Sequence, residues 1–300
     1  MLNIQENISL KPYTTFKIGG PARFFCKPQN YDEVVEALNF TQTHNIPVLV
    51  IGLGANILFS DSGFDGLVIR QSSEEISLKD NIVKARSGVT LENLINVALA
   101  NNLLGLEDFS VIPSTVGGAL YINLHYYNSF IGPTVRAAIV LDKDTNMIEK
   151  VDQDWFGFSY DESRLKIERK HILLEADFEL QRVNDYEKYE AIGKSKEIIR
   201  TRQYKYPSEP SVGSIFQNLN LDEQKQYGLP TRSVAYLIDA CGLKGKRVGE
   251  ALLSHRHSNI IVNTGDARAA DVLELAELIR YNVKDKFGID LRFEIQLIGF

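Results

Sequence analysis

The order of strand-like and helix-like segments limits which folds this chain can adopt. Val34, Val35 and Leu38 have the spacing of one helix face, so we predict a helix over residues 31–45. Further helices are expected over 90–103, 186–203, 232–242 and 267–287, and strands over 47–51, 67–70, 82–86, 137–142, 171–180 and 291–300. These segments alternate without the regular period of βαβ units, which argues against a doubly wound parallel sheet. The order therefore predicts an α+β fold.

Length and composition indicate a globular chain with more than one domain. The chain has 300 residues, and a typical domain has about 150. With 44% hydrophobic residues, 15 Phe and 13 Tyr, it is too apolar to be a disordered protein. Residues 204–210 contain two prolines and are the most linker-like segment. We therefore expect a domain boundary near residue 200.

Charge and hydropathy exclude several classes of function. The net charge of −6 argues against general nucleic-acid binding, because phosphate contacts need a basic face. Since there is no apolar run of about 18 residues and no signal-peptide pattern, we expect no membrane association and a cytoplasmic location. The two cysteines, Cys26 and Cys241, do not make a disulfide scaffold.

Two standard motifs are incomplete. Gly52 and Gly54 follow a predicted strand, as in a dinucleotide-binding fingerprint, but Ile57 stands where the third glycine belongs. The Rossmann interpretation therefore fails. His255 and His257 have no cysteine nearby and do not belong to an HExxH motif, so we expect no metal site.

Three glycine clusters nevertheless suggest a bound dinucleotide. They are Gly19-Gly20, Gly52 with Gly54, and Gly117-Gly118. A single cluster is usually just a turn. Each of these has hydroxyl side chains nearby, namely Thr14, Thr15, Ser60, Ser114 and Thr115. Backbone N–H groups next to glycines, with added hydroxyls, can bind phosphate without a lysine. The pattern predicts a dinucleotide held mainly by the backbone.

Seven segments, taken in chain order, resemble one known family. They are PYTTFKIGGPA (12–22), IGLGANILFSDSGFDGLVI (51–69), GLEDFSVIPSTVGGALYIN (105–123), YPSEPSVGSIFQN (206–218), LIDACGLKGKRVGEA (237–251), HSNIIVNTGDARAADV (257–272) and FEIQLIG (293–299). The chain resembles the UDP-N-acetylenolpyruvoylglucosamine reductases, also called UDP-N-acetylmuramate dehydrogenases. The resemblance runs through the whole chain, and the absence of an extra insert points to the shorter subtype.

The resemblance implies an FAD-binding domain of the vanillyl-alcohol-oxidase (PCMH-like) type plus a smaller α+β substrate-binding domain. On this basis residues 1–200 bind the flavin, with subdomains at about 1–72 and 73–200, and residues 201–290 bind the substrate. The C-terminal strand 291–300 is expected to return near the flavin. The resemblance leaves the oligomeric state open, and we expect a monomer.

The resemblance also implies a reaction. FAD is held non-covalently and is reduced by NADPH, which then leaves. The small-molecule partner is the enolpyruvyl ether of UDP-N-acetylglucosamine. Its vinyl carbon receives hydride from the flavin, and a serine protonates the neighbouring carbon. The product is UDP-N-acetylmuramate, a peptidoglycan precursor.

Family site residues carry over to positions of this chain by motif. Ser214 matches the proton-donating serine, and Glu294 matches the catalytic glutamate. Substrate contacts are implied for Lys244, Asn218 and Tyr160. Flavin contacts are implied for Tyr13, Thr14, Thr15, Gly19, Gly52, Gly54, Asn56, Ser114, Thr115, Gly117 and Gly118.

Two departures from the family pattern fall near the expected reacting centre. Asp161 stands where the family usually has an arginine, and His125 lies in a loop that the family builds from small residues. They leave two alternatives to the family reaction: an FAD oxidoreductase with another substrate, and a non-catalytic protein that binds flavin or a nucleotide sugar. If the chain has merely drifted from the family, Asp161→Arg is expected to raise reductase activity.

Overall fold

The computed structural model describes residues 2–300, which divide into two compact units. The first unit contains the chain up to Gln5, Phe24–Leu53 and Gly66–Arg202, and the second contains Glu6–Arg23, Gly54–Asp65 and Gln203–Phe300. The last division, between Arg202 and Gln203, lies close to the expected boundary near residue 200. Two short segments from the N-terminal part of the chain, Glu6–Arg23 and Gly54–Asp65, belong to the same unit as Gln203–Phe300. Local sequence patterns did not indicate this grouping. The expected assignment of 1–200 to flavin and 201–290 to substrate stays a prediction.

The elements follow one another without a repeating βαβ unit. The helices are α1 (Tyr31–His44), α2 (Leu91–Ala100), α3 (Val116–Tyr121), α4 (Arg164–Glu168), α5 (Asp185–Lys205), α6 (Leu221–Gln226), α7 (Val234–Ala240) and α8 (Ala269–Phe287). The strands are β1 (Gln5–Ser9), β2 (Pro21–Cys26), β3 (Val48–Ile51), β4 (Ile57–Phe59), β5 (Phe64–Arg70), β6 (Ile76–Lys79), β7 (Ile82–Arg86), β8 (Leu103–Leu104), β9 (His125–Tyr126), β10 (Ser129–Phe130), β11 (Val135–Asp142), β12 (Ile148–Asp152), β13 (His171–Glu179), β14 (Gln181–Arg182), β15 (Arg247–Val248), β16 (Ala251–Leu253), β17 (Ile261–Asn263) and β18 (Gln296–Ile298). The predicted α+β class is confirmed.

Two of the longer predicted helices, α1 and α2, begin directly after an N-terminal capping residue. Helix α1 begins after Asn30, whose side chain accepts a hydrogen bond from Glu33 N at 2.9 Å. Helix α2 begins after Thr90, whose hydroxyl accepts from Asn93 N at 3.2 Å. These caps satisfy N–H groups that the first helical turn leaves free. By contrast, the predicted C-terminal strand over 291–300 is shorter, since only β18 is a strand there.

The first unit contains a five-stranded sheet and a parallel pair of strands. A five-stranded antiparallel sheet has the order β12-β11-β13-β7-β6, as expected for the pair 137–142 and 171–180. Helices α2 and α3 contribute Leu94 and Leu120 to the core of this sheet. Strand β3 pairs in parallel with Leu67–Arg70 of β5, and Leu38 of α1 packs in a core with Leu67.

The second unit has a smaller core. Strands β15, β16 and β17 form an antiparallel sheet, and α7 and α8 contribute Leu237 and Leu275 to one buried cluster with Leu253 of β16. Strand β18 pairs in parallel with β4, so the C-terminus is tied to the segment that follows Gly54 and Asn56. No helix within residues 2–300 is long and apolar enough to cross a membrane.

An ion pair beside the C-terminal segment gives a pH-dependent stability prediction. Arg292 contacts both carboxylate oxygens of Glu223 at 2.6 and 3.0 Å. This guanidinium, with the backbone N–H of Asn220, holds the pKa of the Glu223 carboxyl below its usual value. Because the unfolded value is higher, about 4.3, the stabilisation is present at neutral pH and is lost as the pH falls below about 4.

We therefore expect Glu223→Gln to lower the free energy of unfolding by about 1 kcal/mol at pH 7, a small value because solvent screens the half-exposed Arg292. Urea unfolding at pH 7 and near pH 3.5 measures the difference, which should shrink at the lower pH. Glu209→Gln, at an exposed position in the same unit, is the control. An equal loss at both pH values would contradict the assigned cause.

Candidate active site

Three segments of the second unit lie side by side around the predicted catalytic residues. Glu294 N donates to Ile215 O at 2.9 Å, so the chain next to Ser214 pairs with the chain at Glu294. Asn56 joins them, because its side-chain amide donates to Glu294 O at 3.3 Å and its carbonyl accepts from Gln296 N at 2.9 Å. The structure thus brings together the backbones of Ser214, Glu294 and Asn56.

A buried asparagine fixes the segment that carries Ser214. The Asn259 side chain donates to Phe216 O at 2.7 Å and accepts from Phe216 N at 3.0 Å, and Asn259 O accepts from Ile215 N at 2.8 Å. Asn259 is 2% exposed. These bonds hold the chain directly after Ser214, whose own side chain is partly exposed. Sequence reasoning did not single out Asn259; its only signal was its place in the segment 257–272.

The two polar residues expected at the substrate have different surroundings. Lys244 Nζ lies 3.0 Å from Asp239 Oδ1, and the two side chains are 38% and 52% exposed. Water therefore screens this pair, and the ammonium can exchange partners. Asn218 Oδ1 accepts from Val234 N at 3.1 Å and thereby caps α7. Asn218 therefore has a structural task in addition to any substrate contact.

The N-terminal flavin-site candidates lie around Gly54 in the second unit. Gly54 has a φ of +63°, and a Cβ there would stand 2.5 Å from Tyr13 O and 3.0 Å from Thr14 Cα. Only glycine fits this close backbone contact. The hydroxyls of Thr14 and Thr15 donate to Ile18 O at 3.1 Å and Ser211 O at 2.7 Å. Both hydroxyl protons are therefore used in hydrogen bonds within the protein and are not available to a phosphate.

The other candidates gather at the start of α3 in the first unit. Thr115 caps α3 by accepting from Gly118 N at 3.2 Å, and Gly117 N donates to Ser87 O at 2.8 Å. A Cβ on Gly118 would lie 3.0 Å from Ser114 Oγ, and a Cβ on Gly52 would collide with the Thr115 hydroxyl. The glycines here permit tight packing, and the N–H groups of Gly117 and Gly118 already have protein acceptors.

Gly19 is also explained by packing in the second unit. Its φ is +147°, and a Cβ there would lie 3.1 Å from Phe59 Cβ and 3.3 Å from Leu10 Cβ. The position therefore requires glycine whether or not a cofactor is nearby. These contacts do not show a role for Gly19 in binding the nucleotide, so its contact with the flavin stays a prediction.

Backbone N–H groups near Gly54 are better candidates for binding the phosphates of a dinucleotide than the hydroxyls of Thr14 and Thr15. Within residues 2–300, the backbone N–H groups of Leu53, Gly54 and Ala55 donate to no protein acceptor. Consecutive free N–H groups in a glycine turn form a concave donor set suited to phosphate oxygens. The donors available in this segment are of the kind that bind the phosphate oxygens of a dinucleotide such as FAD. Binding of the dinucleotide by these backbone groups stays a prediction.

The two departures from the family pattern contact each other. His125 Nδ1 lies 3.2 Å from Asp161 Oδ1, and both side chains are mostly buried, at 22% and 14% exposure. The imidazole lies against Tyr160, with ring centroids 4.5 Å apart, and against Phe130, at 5.4 Å. Sequence reasoning singled out His125 and Asp161 separately but did not predict that they pair.

Comparisons with known proteins match both the N-terminal and the C-terminal parts of this chain. A family model described as UDP-N-acetylenolpyruvoylglucosamine reductase, C-terminal domain, matches residues 203–298, and one described as FAD binding domain matches residues 22–149. The UDP-N-acetylenolpyruvoylglucosamine reductase of Caldicellulosiruptor saccharolyticus is 39% identical over 99% of this chain and 93% of its own length. The chain belongs to the UDP-N-acetylenolpyruvoylglucosamine reductase family.

Two further UDP-N-acetylenolpyruvoylglucosamine reductases agree with this assignment. The Clostridium novyi reductase is 36% identical over 99% of this chain and 92% of its own length. The crystal structure of the Thermus caldophilus reductase superposes with a TM-score of 0.82 at 30% identity, covering 99% of this chain and 100% of that one. The expected family and its FAD-binding fold are therefore confirmed.

Proposed function

We propose that this protein is an FAD-dependent reductase that uses NADPH to convert the enolpyruvyl ether of UDP-N-acetylglucosamine to UDP-N-acetylmuramate for peptidoglycan synthesis. The observation that carries this proposal is the 39% identity to a reductase of that name over 99% of the chain. The pairing of the Ser214 and Glu294 segments supports it. Because nucleotide sugars and NADPH are cytoplasmic metabolites, we propose that it acts in the cytoplasm, and as a monomer.

The residues of the second unit provide the proton chemistry and the substrate charge contacts. When bound, FAD would supply the hydride for the vinyl carbon. Ser214 would give its hydroxyl proton to the neighbouring carbon, which needs a serine held in place and reprotonated after each turnover. The Asn259 bonds beside it provide the first condition. Lys244 would contact an anionic part of the substrate, and Glu294 would act beside Ser214 on the paired segment.

We propose that FAD is held non-covalently, mainly by main-chain donors. The free N–H groups of Leu53, Gly54 and Ala55 would bind the pyrophosphate. We propose flavin contacts for the residues that the resemblance implies, namely Tyr13, Thr14, Thr15, Gly19, Gly52, Asn56, Ser114, Thr115, Gly117 and Gly118. In the second unit, Lys244, Asn218 and the C-terminal strand would serve the substrate and the reacting centre.

Anaerobic flavin absorbance near 450 nm tests this function. One equivalent of NADPH should bleach the flavin of the purified holoenzyme, and added enolpyruvyl-UDP-N-acetylglucosamine should restore the oxidised band. UDP-N-acetylglucosamine, which has no vinyl group, is the control and should leave the flavin reduced. A flavin that stays bleached with the enolpyruvyl sugar would show an oxidoreductase with another acceptor. A flavin that NADPH never reduces would show a binding protein.

A further inference from the structure

The chain that leads to Ser214 is fastened a few residues earlier, at Ser211. The hydroxyl of Thr15 donates to Ser211 O at 2.7 Å, and these two residues lie 196 positions apart in the sequence. Both belong to the second unit, so the hydrogen bond is a contact within one compact body. Thr15 therefore joins the N-terminal segment of this unit to the chain just before the predicted proton donor.

A buried asparagine holds the same junction. The Asn263 side chain is 3% exposed and donates to Phe16 O at 3.1 Å, next to Thr15. Asn263 N donates to Pro210 O at 2.9 Å, next to Ser211. The backbone beside both partners of the Thr15 hydrogen bond is therefore held in place, so a change at Thr15 acts on Ser211 rather than on a freely moving loop.

Within residues 2–300, the hydroxyl of Ser214 has no hydrogen-bond partner in the protein. Gly213, directly before it, has a φ of +76°, and a Cβ there would meet nothing within 4 Å, so tight packing does not fix this turn. On the other side, Ile215 N is held by Asn259 O at 2.8 Å. The position of the Ser214 hydroxyl is therefore set mainly by the backbone, which is fastened at Ser211 and at Ile215.

The segment that contains Thr15 also contacts the turn at Gly54. A Cβ on Gly54 would stand 2.5 Å from Tyr13 O and 3.0 Å from Thr14 Cα, so the two backbones lie directly against each other. The residues from Tyr13 to Thr15 thus contact both a candidate phosphate-binding turn and the chain before Ser214. One short stretch of backbone supports both of these parts of the candidate site.

We propose that the Thr15 hydroxyl positions Ser214 for proton transfer to the substrate. This inference rests on the proposed function and gives Thr15 a role beyond its expected contact with the flavin. Thr15 is a positioning residue in this step, since its own proton stays in the hydrogen bond to Ser211 O. The proton that reaches the substrate comes from Ser214, which is reprotonated after each turnover. Without the Thr15 bond, the chain before Ser214 loses one of its fastenings and the hydroxyl is misplaced.

Thr15→Val tests the proposal, because valine keeps the branched shape of threonine and removes the hydrogen-bond donor. We expect this variant to slow reoxidation of the NADPH-reduced flavin by the enolpyruvyl sugar roughly 10- to 100-fold, the scale of loss that a misplacement of about 1 Å can cause. The flavin content and the rate of flavin reduction by NADPH should stay close to the wild-type values. Thr15→Ser keeps the donor and should restore most of the lost rate.

Thr134→Val is the matched control in the first unit. The Thr134 hydroxyl donates to Ile131 O at 2.7 Å, the same length and the same kind of acceptor as for Thr15. Both threonines are partly buried, and Thr134 is not among the candidate site residues. This variant should leave both half-reactions at their wild-type rates. Slowing of reoxidation equal to that in Thr15→Val would mean that loss of any such hydroxyl disturbs the enzyme, and the proposal would be wrong.

A double substitution shows whether Thr15 acts through Ser214. In a Ser214→Ala background, Thr15→Val should slow reoxidation no further, because the group that Thr15 positions is already absent. Stopped-flow absorbance near 450 nm measures the rate in the two single variants and in the double variant. Equal slowing by Thr15→Val in both backgrounds would show that Thr15 acts independently of Ser214, which overturns the proposal.

The outcomes separate this inference from the proposed function. If the enolpyruvyl sugar reoxidises the wild-type flavin and the Thr15→Val flavin at the same rate, the inference is wrong and the function stands. Loss of bound flavin in Thr15→Val, or equal slowing of both half-reactions, would also overturn it, since Thr15 would then serve the cofactor or the fold. If the enolpyruvyl sugar does not reoxidise the wild-type flavin, the proposed function fails before any variant is compared.

Discussion

Replacing Ser214 by alanine is expected to slow reoxidation of the reduced flavin by the enolpyruvyl sugar by roughly 10²- to 10⁴-fold, the usual contribution of a positioned proton donor. Reduction of the flavin by NADPH requires no proton from Ser214 and should keep its rate. The two half-reactions can be followed separately by stopped-flow absorbance near 450 nm. The expected result is therefore a loss confined to the second half-reaction.

The surroundings of Ser214 make this variant informative. The Asn259 bonds hold Ile215 and Phe216 through backbone atoms, so removing one hydroxyl should not move the segment. Ser208→Ala, at an exposed position on the same stretch of chain, is the control and should leave both half-reactions intact. Unchanged reoxidation in Ser214→Ala would mean that another group delivers the proton. Equal slowing of both half-reactions would indicate a damaged fold instead.

Local signals explain which parts of the fold the sequence could predict. Helices α1 and α2 have an apolar face and a capping residue within a few positions of each other, so both their existence and their starts are encoded locally. The antiparallel strands β11 and β13 have long apolar runs that are equally local. No long-range contact has to be known to recognise these elements.

Contacts between distant segments could not be derived in this way. The grouping of Glu6–Arg23 and Gly54–Asp65 with the C-terminal part depends on tertiary pairing, such as β4 with β18. Within the predicted C-terminal strand, Gln296–Ile298 pairs with Ile57–Phe59, more than two hundred positions earlier, and Phe293 forms an isolated bridge with Phe216. Local alternation of apolar residues carries no information about a partner so far away.

In the candidate active site, too, the sequence indicated single residues but not the contacts between distant segments. The resemblance led to Ser214 and Glu294 because each lies in a recognisable segment, but Asn259, which holds the Ser214 segment, has no pattern of its own. His125 and Asp161 were each noticed as a departure from the family. Their pairing depends on two loops that meet through the side chains of Asn123 and Ser163, and one sequence without an alignment cannot reveal such a meeting.

Replacing Gly52 by alanine is expected to remove most of the bound flavin. A Cβ at Gly52 would collide with the hydroxyl of Thr115, which is 3% exposed and caps α3. Thr115 cannot move away freely, because its displacement breaks the cap, worth about 1 kcal/mol, in a packed interior where overfilling costs about 1–3 kcal/mol. The alternative is a shift of the chain at Gly52, which carries the free N–H groups of the next three residues with it.

Two measurements check this expectation. The ratio of absorbance at 450 nm to that at 280 nm gives the flavin content of the purified variant. Urea unfolding should show a loss of about 2–4 kcal/mol in the free energy of unfolding, the sum of the cap and overpacking costs. Full flavin content with an unchanged unfolding midpoint would show that the chain at Gly52 adapts without cost, and the proposed role of Leu53, Gly54 and Ala55 would lose this support.

Gly193→Ala provides a control with the opposite expected sign. Gly193 lies inside α5, and a Cβ there would meet nothing within 4 Å. Alanine should therefore raise the free energy of unfolding by about 0.5–1 kcal/mol through its better helix propensity, and it should leave the flavin content unchanged. The same chemical change thus destabilises the protein where the added methyl group meets Thr115 and stabilises it where the methyl group meets solvent. If both variants lost flavin equally, the collision with Thr115 could not be the cause.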